Sequence, residues 1–450
     1  MDGVAQSILV AGTGIAGAAS VRALLESGRD VTVYDSKNSP VAQTLSEQGA
    51  KVHTGEWDND YLAGAEQVIV SPGFPPHHPI VQAAENADLE VYSEPELAWR
   101  LRQAGAAPWL VVTGTNGKTT TTTMLSSMLS AAGYSTAPLG NIGRALVTEA
   151  NGPYDVLAIE LSSYQLHWSR LMSPRAGVIL NLADDHLNWH GDFDRYAEAK
   201  TAAWRGSVAV VNRDDALVIR ALDDRHGETI GFTLEEPRPG DFGVVDGYLV
   251  DNRSGRPRRI CATKEIRPAG SHNVANALAA AALASTVGCE VEAMGQGLRS
   301  YSPEPHRNVT IAHMDGVAWV DDSKATNPHA AAAALDAYES LVWIAGGQLK
   351  GVDVSELVQR YAPKMRGAVL IGSDRAAVAE AFARHAPDVP IRVLESVDQT
   401  VVAEAVAAAA GFAQAGDTVV LSPAAASLDM FDSYAQRGEM FASAVREFLS

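Results

Sequence analysis

The sequence predicts an α/β protein made of three successive segments, each alternating strands with helices. Three observations carry that expectation. Short runs rich in Val, Ile and Leu recur along the chain, separated by helix-length stretches. The pattern pauses twice, in the Gly/Ala/Pro stretch at 105–108 and at "YSPEPHRN", where prolines interrupt it. Many of the apolar runs end in glycine or polar residues, as strands do where a crevice opens at their carboxyl ends.

The first segment, residues 1–106, offers "SILVAG", "DVTVYD", "KVHTG" and "QVIVSPG" as strands and closes on "EVYSEPELAWRLRQAGAAP". The second, 107–304, restarts with "WLVVTGTNGKT" and adds "YDVLAIELSS", "AGVILNLADDH" and "SVAVVNRDD". Between 231 and 266 the text shortens to alternating runs that suggest a few antiparallel strands, and the long helix "SHNVANALAAAALASTVG" follows. The third, 305–450, carries "VAWVDDSKATN", "LVWIAGG", "AVLIGSD", "IRVLES" and "TVVLSP". The outer segments read as small doubly wound sheets flanking a central one.

At 450 residues the chain exceeds what one core supports. Its 35 basic and 54 acidic residues leave a net charge of −19. That balance argues against nucleic acid or an anionic membrane surface as partner, although local backbone N–H groups can still hold a small anion. Cys261 and Cys289 have no metal-type spacing and read as buried, reduced thiols. The amino-terminal stretch lacks a signal-peptide pattern, and no apolar run reaches the roughly 18 residues of a spanning helix. A cytosolic location is expected.

Among the motifs, "GTGIAG" at 12–17 fits G-x-G-x-x-G after a strand, with Asp35 closing the next strand. Alone it is as compatible with a tight packing turn as with a nucleotide. "TGTNGKTT" is more specific. Gly114, Thr115, Asn116 and Gly117 can converge their N–H groups on phosphate at a helix start. Lys118 adds a point charge and the hydroxyl of Thr119 a Mg²⁺ ligand, with Thr120 beside it. The spacing is shorter than G-x-x-x-x-G-K-[ST], since Val112 stands where the first glycine belongs. Packing alone explains the glycines but not a lysine at a helix start, where the dipole disfavours it.

Glu160 ends an apolar strand, well placed for Mg²⁺ beside the cradle. "ADDHLNWHGDFDRYAEAK" adds Asp184, Asp185, His186, His190 and Lys200 in a pattern that matches no zinc signature. His186 could serve a second Mg²⁺ site. Lys200 reads plainly as a helix-surface charge, since an ammonium ligates no metal. In the third segment His306, Arg307, Asp322, Lys324, Thr326, Lys350 and Ser427 make strand ends rich in cations and hydroxyls, suited to a small dicarboxylate or part of a nucleotide.

Taken in order, "TGTNGKTTT", "GNIG", "ELSSYQL", "DDHLNWHG", "YAEAK", "GSHNVANALAA", "PHR", "DDSKATNP" and "SPAAASLDMF" resemble the Mur ligases of peptidoglycan synthesis over nearly the whole chain. The shortened cradle is that family's usual form, and "DSKATNP" with "SPAAASLDMF" resembles its D-glutamate-adding branch. The resemblance implies an amino-terminal Rossmann-like domain, a central P-loop-type ATPase with a mostly parallel sheet, and a carboxyl-terminal Rossmann-like domain. It implies a monomeric ligase that uses ATP and two Mg²⁺ ions to join D-glutamate to UDP-N-acetylmuramoyl-L-alanine.

By the same resemblance, Gly14, Ile15, Ala16, Asp35, Ser36, Ser71, Pro72 and Gly73 would hold the uridine diphosphate, with Asn141 and Ser162 on the substrate side. Asn273 and Asn276 would lie near the adenine, and Arg307 and Asp322 would close on the nucleotide. Lys200 matches a lysine carried as a carbamate, an anion able to ligate Mg²⁺ with His186. Lys324, Thr326, Lys350, Ser427, Leu428 and Tyr434 would hold D-glutamate. Two positions depart from some relatives, Gln348 where an acid is found and Tyr434 where Phe is found. A folylpolyglutamate synthase-like ligase shares the cradle but not a hundred preceding residues. An NAD-dependent oxidoreductase would use "GTGIAG" and leave Lys118, Glu160 and His186 without a role.

Overall fold

The computed structural model describes residues 3–222, 227–303 and 305–449. The expected boundary residue Glu304 lies outside the described residues. The chain forms two compact units, Met1–Glu265 with Val274–Tyr301, and Ile266–Asn273 with Ser302–Ser450.

The first unit holds two sheets. One is five-stranded, in the order β3-β2-β1-β4-β5, and wholly parallel: β1 Ser7–Ala11, β2 Asp30–Asp35, β3 Lys51–Thr54, β4 Gln67–Val70 and β5 Glu90–Tyr92. The other is nine-stranded, in the order β14-β13-β12-β11-β10-β9-β6-β8-β7. Its parallel part comprises β6 Trp109–Thr113, β7 Pro138–Gly140, β8 Leu157–Glu160, β9 Ala176–Ile179, β10 Val208–Asn212 and β11 Glu228–Phe232. β12 Phe242–Val245, β13 Tyr248–Asp251 and β14 Arg258–Ala262 pair antiparallel, as the alternating text suggested.

β6, β8 and β9 are buried along their whole length, which is why they read as continuous apolar runs. Buried carboxylates join the two sheets of this unit. Glu96 accepts from the backbone N–H groups of Arg170, Leu171 and Met172, and Glu94 accepts from Val147 N at 2.6 Å.

The second unit holds a six-stranded sheet, order β15-β16-β20-β17-β18-β19. Its strands are β15 Val309–Met314, β16 Val317–Asp321, β17 Leu341–Gly346, β18 Met365–Ile371, β19 Ile391–Val393 and β20 Thr418–Leu421. Only β15 runs antiparallel. β7, β11 and β15 are strands the sequence did not announce; β7 is three residues long, and β15 is largely uncovered. Cys261 and Cys289 are buried and unpaired, as expected, and burial pushes their thiols up to about 12 and about 11. Among the described residues no helix is long and apolar enough to cross a membrane.

Candidate active site

The cradle forms where β6 ends between β8 and β9, and each of its parts has a fixed partner. Gly114 takes φ +153, and a Cβ there would lie 2.9 Å from Leu180 Cβ. Gly117 takes φ +84 and caps the Lys118–Ala131 helix, with room for no Cβ because Asn276 Oδ1 would stand 2.4 Å away. Asn181, beyond β9, accepts from Asn116 N through Oδ1 at 2.8 Å and from Thr115 N through its carbonyl at 3.0 Å. Lys118 Nζ donates to the carbonyls of Gly114 and Thr115 at 3.0 and 2.8 Å, over the same turn.

Next to the turn lies a buried carboxylate. Glu160, 2% exposed, accepts from Thr119 Oγ1 at 2.7 Å and from Asn141 Nδ2 at 2.9 Å. Asn141 N also bonds the Glu160 carbonyl, and Gly140 allows that approach, since a Cβ there would lie 2.3 Å from the same oxygen. Thr119, Glu160 and Asn141, scattered in sequence, therefore meet. Thr120 is buried one residue further along the helix.

Lys200 is not the surface charge its sequence context suggested. It is 2% exposed, and Nζ donates to Gly114 O at 2.9 Å, the carbonyl that Lys118 also uses. Burial, and then the Lys118 charge, hold its pKa well below the usual lysine range. The Phe193–Thr201 helix brings it there, helped by Tyr196, whose hydroxyl lies 2.7 Å from Thr115 Oγ1 and whose ring lies 4.7 Å from Nζ.

His186 stands at φ +56 ahead of the Leu187–His190 turn, 3.4 Å from the Asp185 carboxylate, with its ring 4.7 Å from that of Tyr164. Among the described residues no group of three or more His, Cys, Asp or Glu side chains forms a metal-binding set. The Thr119–Glu160 pair does present hard oxygen donors of the kind Mg²⁺ takes.

In the five-stranded sheet the "GTGIAG" loop is built as the fingerprint requires. A Cβ on Gly17 would lie 1.9 Å from Gly12 O, and one on Gly12 would lie 2.6 Å from Ser71 Oγ. Gly14 caps the Ile15–Glu26 helix, with Ala16 behind and Ile15 82% exposed at its start. Asp35 accepts from Thr13 N and Oγ1 at 2.7 and 2.6 Å and from Lys37 N at 3.0 Å. Burial raises its pKa, but those bonds outweigh burial and hold it below the usual range. Ser71, Pro72 and Gly73 follow β4, the strand beside β1, and Ser36 is exposed after β2. Ser162 caps the Ser163–His167 helix in a capping box with Gln165.

In the second unit the neighbouring parallel strands β16, β20 and β17 deliver three loops to one edge. Ser422 Oγ donates to Asp322 at 2.8 Å, and Asn308 N donates to the same carboxylate at 3.1 Å. Burial pushes Asp322 up to about 7. Lys324 Nζ sits 3.6 Å from the ring centre of Tyr434, a cation–π contact. Thr326 follows in the same loop. Gln348 bridges to Ala426 beside Ser427, which is buried, while Leu428 is 63% exposed. Lys350 takes φ +55 after β17. Arg307 and Asn273 also belong to this unit, whereas Asn276 belongs to the first.

Sequence reasoning passed over Asn181, Tyr196, Ser323 and Arg437. Arg437, 1% exposed, donates to Ser323 Oγ at 2.9 Å and to the carbonyls of Ser323 and Ala425, binding two of the three loops together. Nothing in "AQRGEM" marks that arginine as internal.

Three family models match the chain in order. They are the Mur ligase MurD-like N-terminal domain over 6–93, the Mur ligase middle domain over 112–284, and the Mur ligase glutamate ligase domain over 306–425. The chain is 49% identical to UDP-N-acetylmuramoylalanine--D-glutamate ligase of Thermobifida fusca, over 98% of both chains. It is 46% identical to the enzyme of that name from Streptomyces coelicolor, again over 98% of both. Among solved structures it resembles a pseudomurein peptide ligase type C from Methanothermus fervidus, with TM-score 0.64, 19% identity, and coverage of 99% of this chain and 100% of that one. It also resembles UDP-N-acetylmuramate-alanine ligase from Thermotoga maritima, with TM-score 0.59, 17% identity, and coverage of 98% and 99%. At those identities the structures speak for the fold, while the full-length relatives speak for descent. The chain belongs to the Mur ligase family.

Proposed function

We propose that this protein joins D-glutamate to UDP-N-acetylmuramoyl-L-alanine at the expense of ATP, releasing ADP and phosphate. The observation that carries the reading is the convergence of Lys118, Lys200, Thr119 and Glu160 around the end of β6. The names of the full-length relatives supply the substrates. Such a ligase serves peptidoglycan synthesis, and through the cell wall it serves cell shape and division. It acts in the cytoplasm as a monomer, through domains at 1–106, 107–304 and 305–450.

In the first step an oxygen of the alanyl carboxylate attacks the γ-phosphorus and the bond to ADP breaks, leaving an acyl phosphate. The D-glutamate nitrogen then attacks the acyl carbon. Phosphate departs with its electron pair, and the nitrogen gives up a proton. Two anions meet in the first step, so positive charge must be positioned before they do. Asn181 takes the N–H groups of Thr115 and Asn116 and so fixes the shape of the turn from Gly114, which leaves those of Gly117, Lys118, Thr119 and Thr120 at the helix start to cradle the phosphates while Lys118 supplies the charge. Asn273 and Asn276 take the adenine, and Arg307 and Asp322 contact the nucleotide. The first sheet's loops hold the uridine diphosphate at Gly14, Ile15, Ala16, Asp35, Ser36, Ser71, Pro72 and Gly73. Asn141 and Ser162 face the muramoyl substrate. D-Glutamate is held by Lys324, Thr326, Lys350, Ser427, Leu428 and Tyr434.

Thr119 and Glu160 would hold one Mg²⁺ ion, and His186 with a carbamylated Lys200 a second; when bound, these ions neutralise phosphate charge. The depressed pKa of Lys200 supports the modification, because only a neutral amine adds to carbon dioxide, forming an N–C bond and losing a proton. Phosphate release would be measured with UDP-N-acetylmuramoyl-L-alanine and ATP, offering D-Glu, L-Glu, D-Ala and diaminopimelate in turn. Release that depends on D-Glu is expected. Equal release with another donor would overturn the assignment.

A further inference from the structure

The turn that carries His186 is short and strained. His186 lies in the left-handed region at φ +56, the helical turn Leu187–His190 is four residues long, and Gly191 ends it at φ +91. A residue with a Cβ is disfavoured in that conformation, so neighbouring contacts must hold it. Two do so. Trp189, 7% exposed, packs in a core cluster with Leu9 and Ala11 of β1 and Val68 and Val70 of β4. His190, 3% exposed, places Nε2 3.0 Å from Ser163 Oγ, three residues after Glu160. Its ring lies 5.4 Å from that of Tyr196, the residue bonded to the cradle through Thr115.

We infer that His190 is a positioning residue: through Ser163 it fixes the His186 turn against the end of β8, and so sets the spacing between His186 and Glu160. Burial, and then the nearby His167, push its pKa down to about 3, so the ring stays neutral and acts as a strut rather than a proton carrier. The inference rests on the ligase reading for what that spacing accomplishes. The hydrogen bond itself belongs to the fold.

The test compares Ser163→Ala, His190→Ala, the double variant and His190→Gln, whose side-chain amide can replace Nε2. Phosphate release is measured with whichever amine donor supports it in the unaltered protein, so failure of the D-glutamate assignment is seen separately there. Each alanine variant is expected to lower kcat about tenfold or more, with KM for ATP changed less than threefold. The double variant should be no slower than the slower single, and His190→Gln should recover at least a third of kcat. In urea unfolding, the double variant's midpoint should shift by less than the sum of the single shifts. Wild-type kcat in Ser163→Ala, or losses that multiply in the double variant, would overturn the inference. If His190→Ala does not fold, Ser163→Ala and His190→Gln decide it alone.

Discussion

Thr119 Oγ1 donates to Glu160 Oε2 across 2.7 Å, tying the first turn of the cradle helix to the end of β8. The bond links the hydroxyl that follows the cradle lysine to the carboxylate of the neighbouring strand. With Asn141 on the other carboxylate oxygen, Glu160 is oriented from two sides.

Replacing Glu160 with Gln keeps the side chain's size and shape but removes the charge and one of its two acceptor oxygens. A fall in kcat on the order of 10²–10³ is expected, the cost of one missing electrostatic group at a charged transition state. Thr119→Ala should fall less, because the carboxylate remains. Phosphate release at saturating and limiting Mg²⁺ checks both, and an undiminished Glu160→Gln would remove this carboxylate from the chemistry.

Lys118→Ala should abolish ADP release, leaving on the order of 10⁻³ of the rate or less. The two bonds it makes to the carbonyls of Gly114 and Thr115 lie within the cradle turn, so the loss is expected in the chemistry with the fold retained. Coupled ADP detection, with circular dichroism as a control, distinguishes lost catalysis from lost structure.

Lys200→Ala should be inactive and partly rescued by short carboxylic acids that replace the carbamate. Acetate and formate titrations measure this, and absence of rescue in a folded variant would count against the modification. Removal of dissolved carbon dioxide should slow the unaltered protein and leave the rescued variant unchanged.

Gly117→Ala puts a Cβ at φ +84 and 2.4 Å from Asn276 Oδ1. A loss of about 1–3 kcal/mol in stability is expected from the backbone strain. Nucleotide affinity should weaken as well, since the methyl group displaces the Asn276 side chain from the turn. Urea unfolding and calorimetric titration with a non-hydrolysable ATP analogue check the two effects.

Glu94 offers a pH test away from the chemistry. Burial pushes its pKa up to about 7, above its unfolded value near 4.5. The native state therefore holds the proton more tightly, and this carboxyl contributes stability that is lost as pH rises from about 4.5 towards 7. Glu94→Gln lacks that loss. Its stability relative to the unaltered protein should improve between pH 5 and pH 8, as read from urea midpoints at both. A difference independent of pH would show that the carboxyl does not titrate in that window.

Much of the arrangement was legible in the residues themselves. Alternating apolar runs announced mostly parallel sheets, and glycine spacing announced both turns, because backbone geometry at 12–17 and 114–117 is a local property of the chain. Glu160 could be read as a strand end for the same reason. What the tertiary structure alone decided was depth and company. Lys200 reads as a surface helix charge, yet the Phe193–Thr201 helix packs it under the cradle, where two amines share the Gly114 carbonyl. Arg437 likewise becomes internal only because loops from β16 and β20 close around it. Local sequence fixes which dihedral angles a residue can adopt, whereas burial depends on segments far apart in the chain, and no window of neighbours contains them.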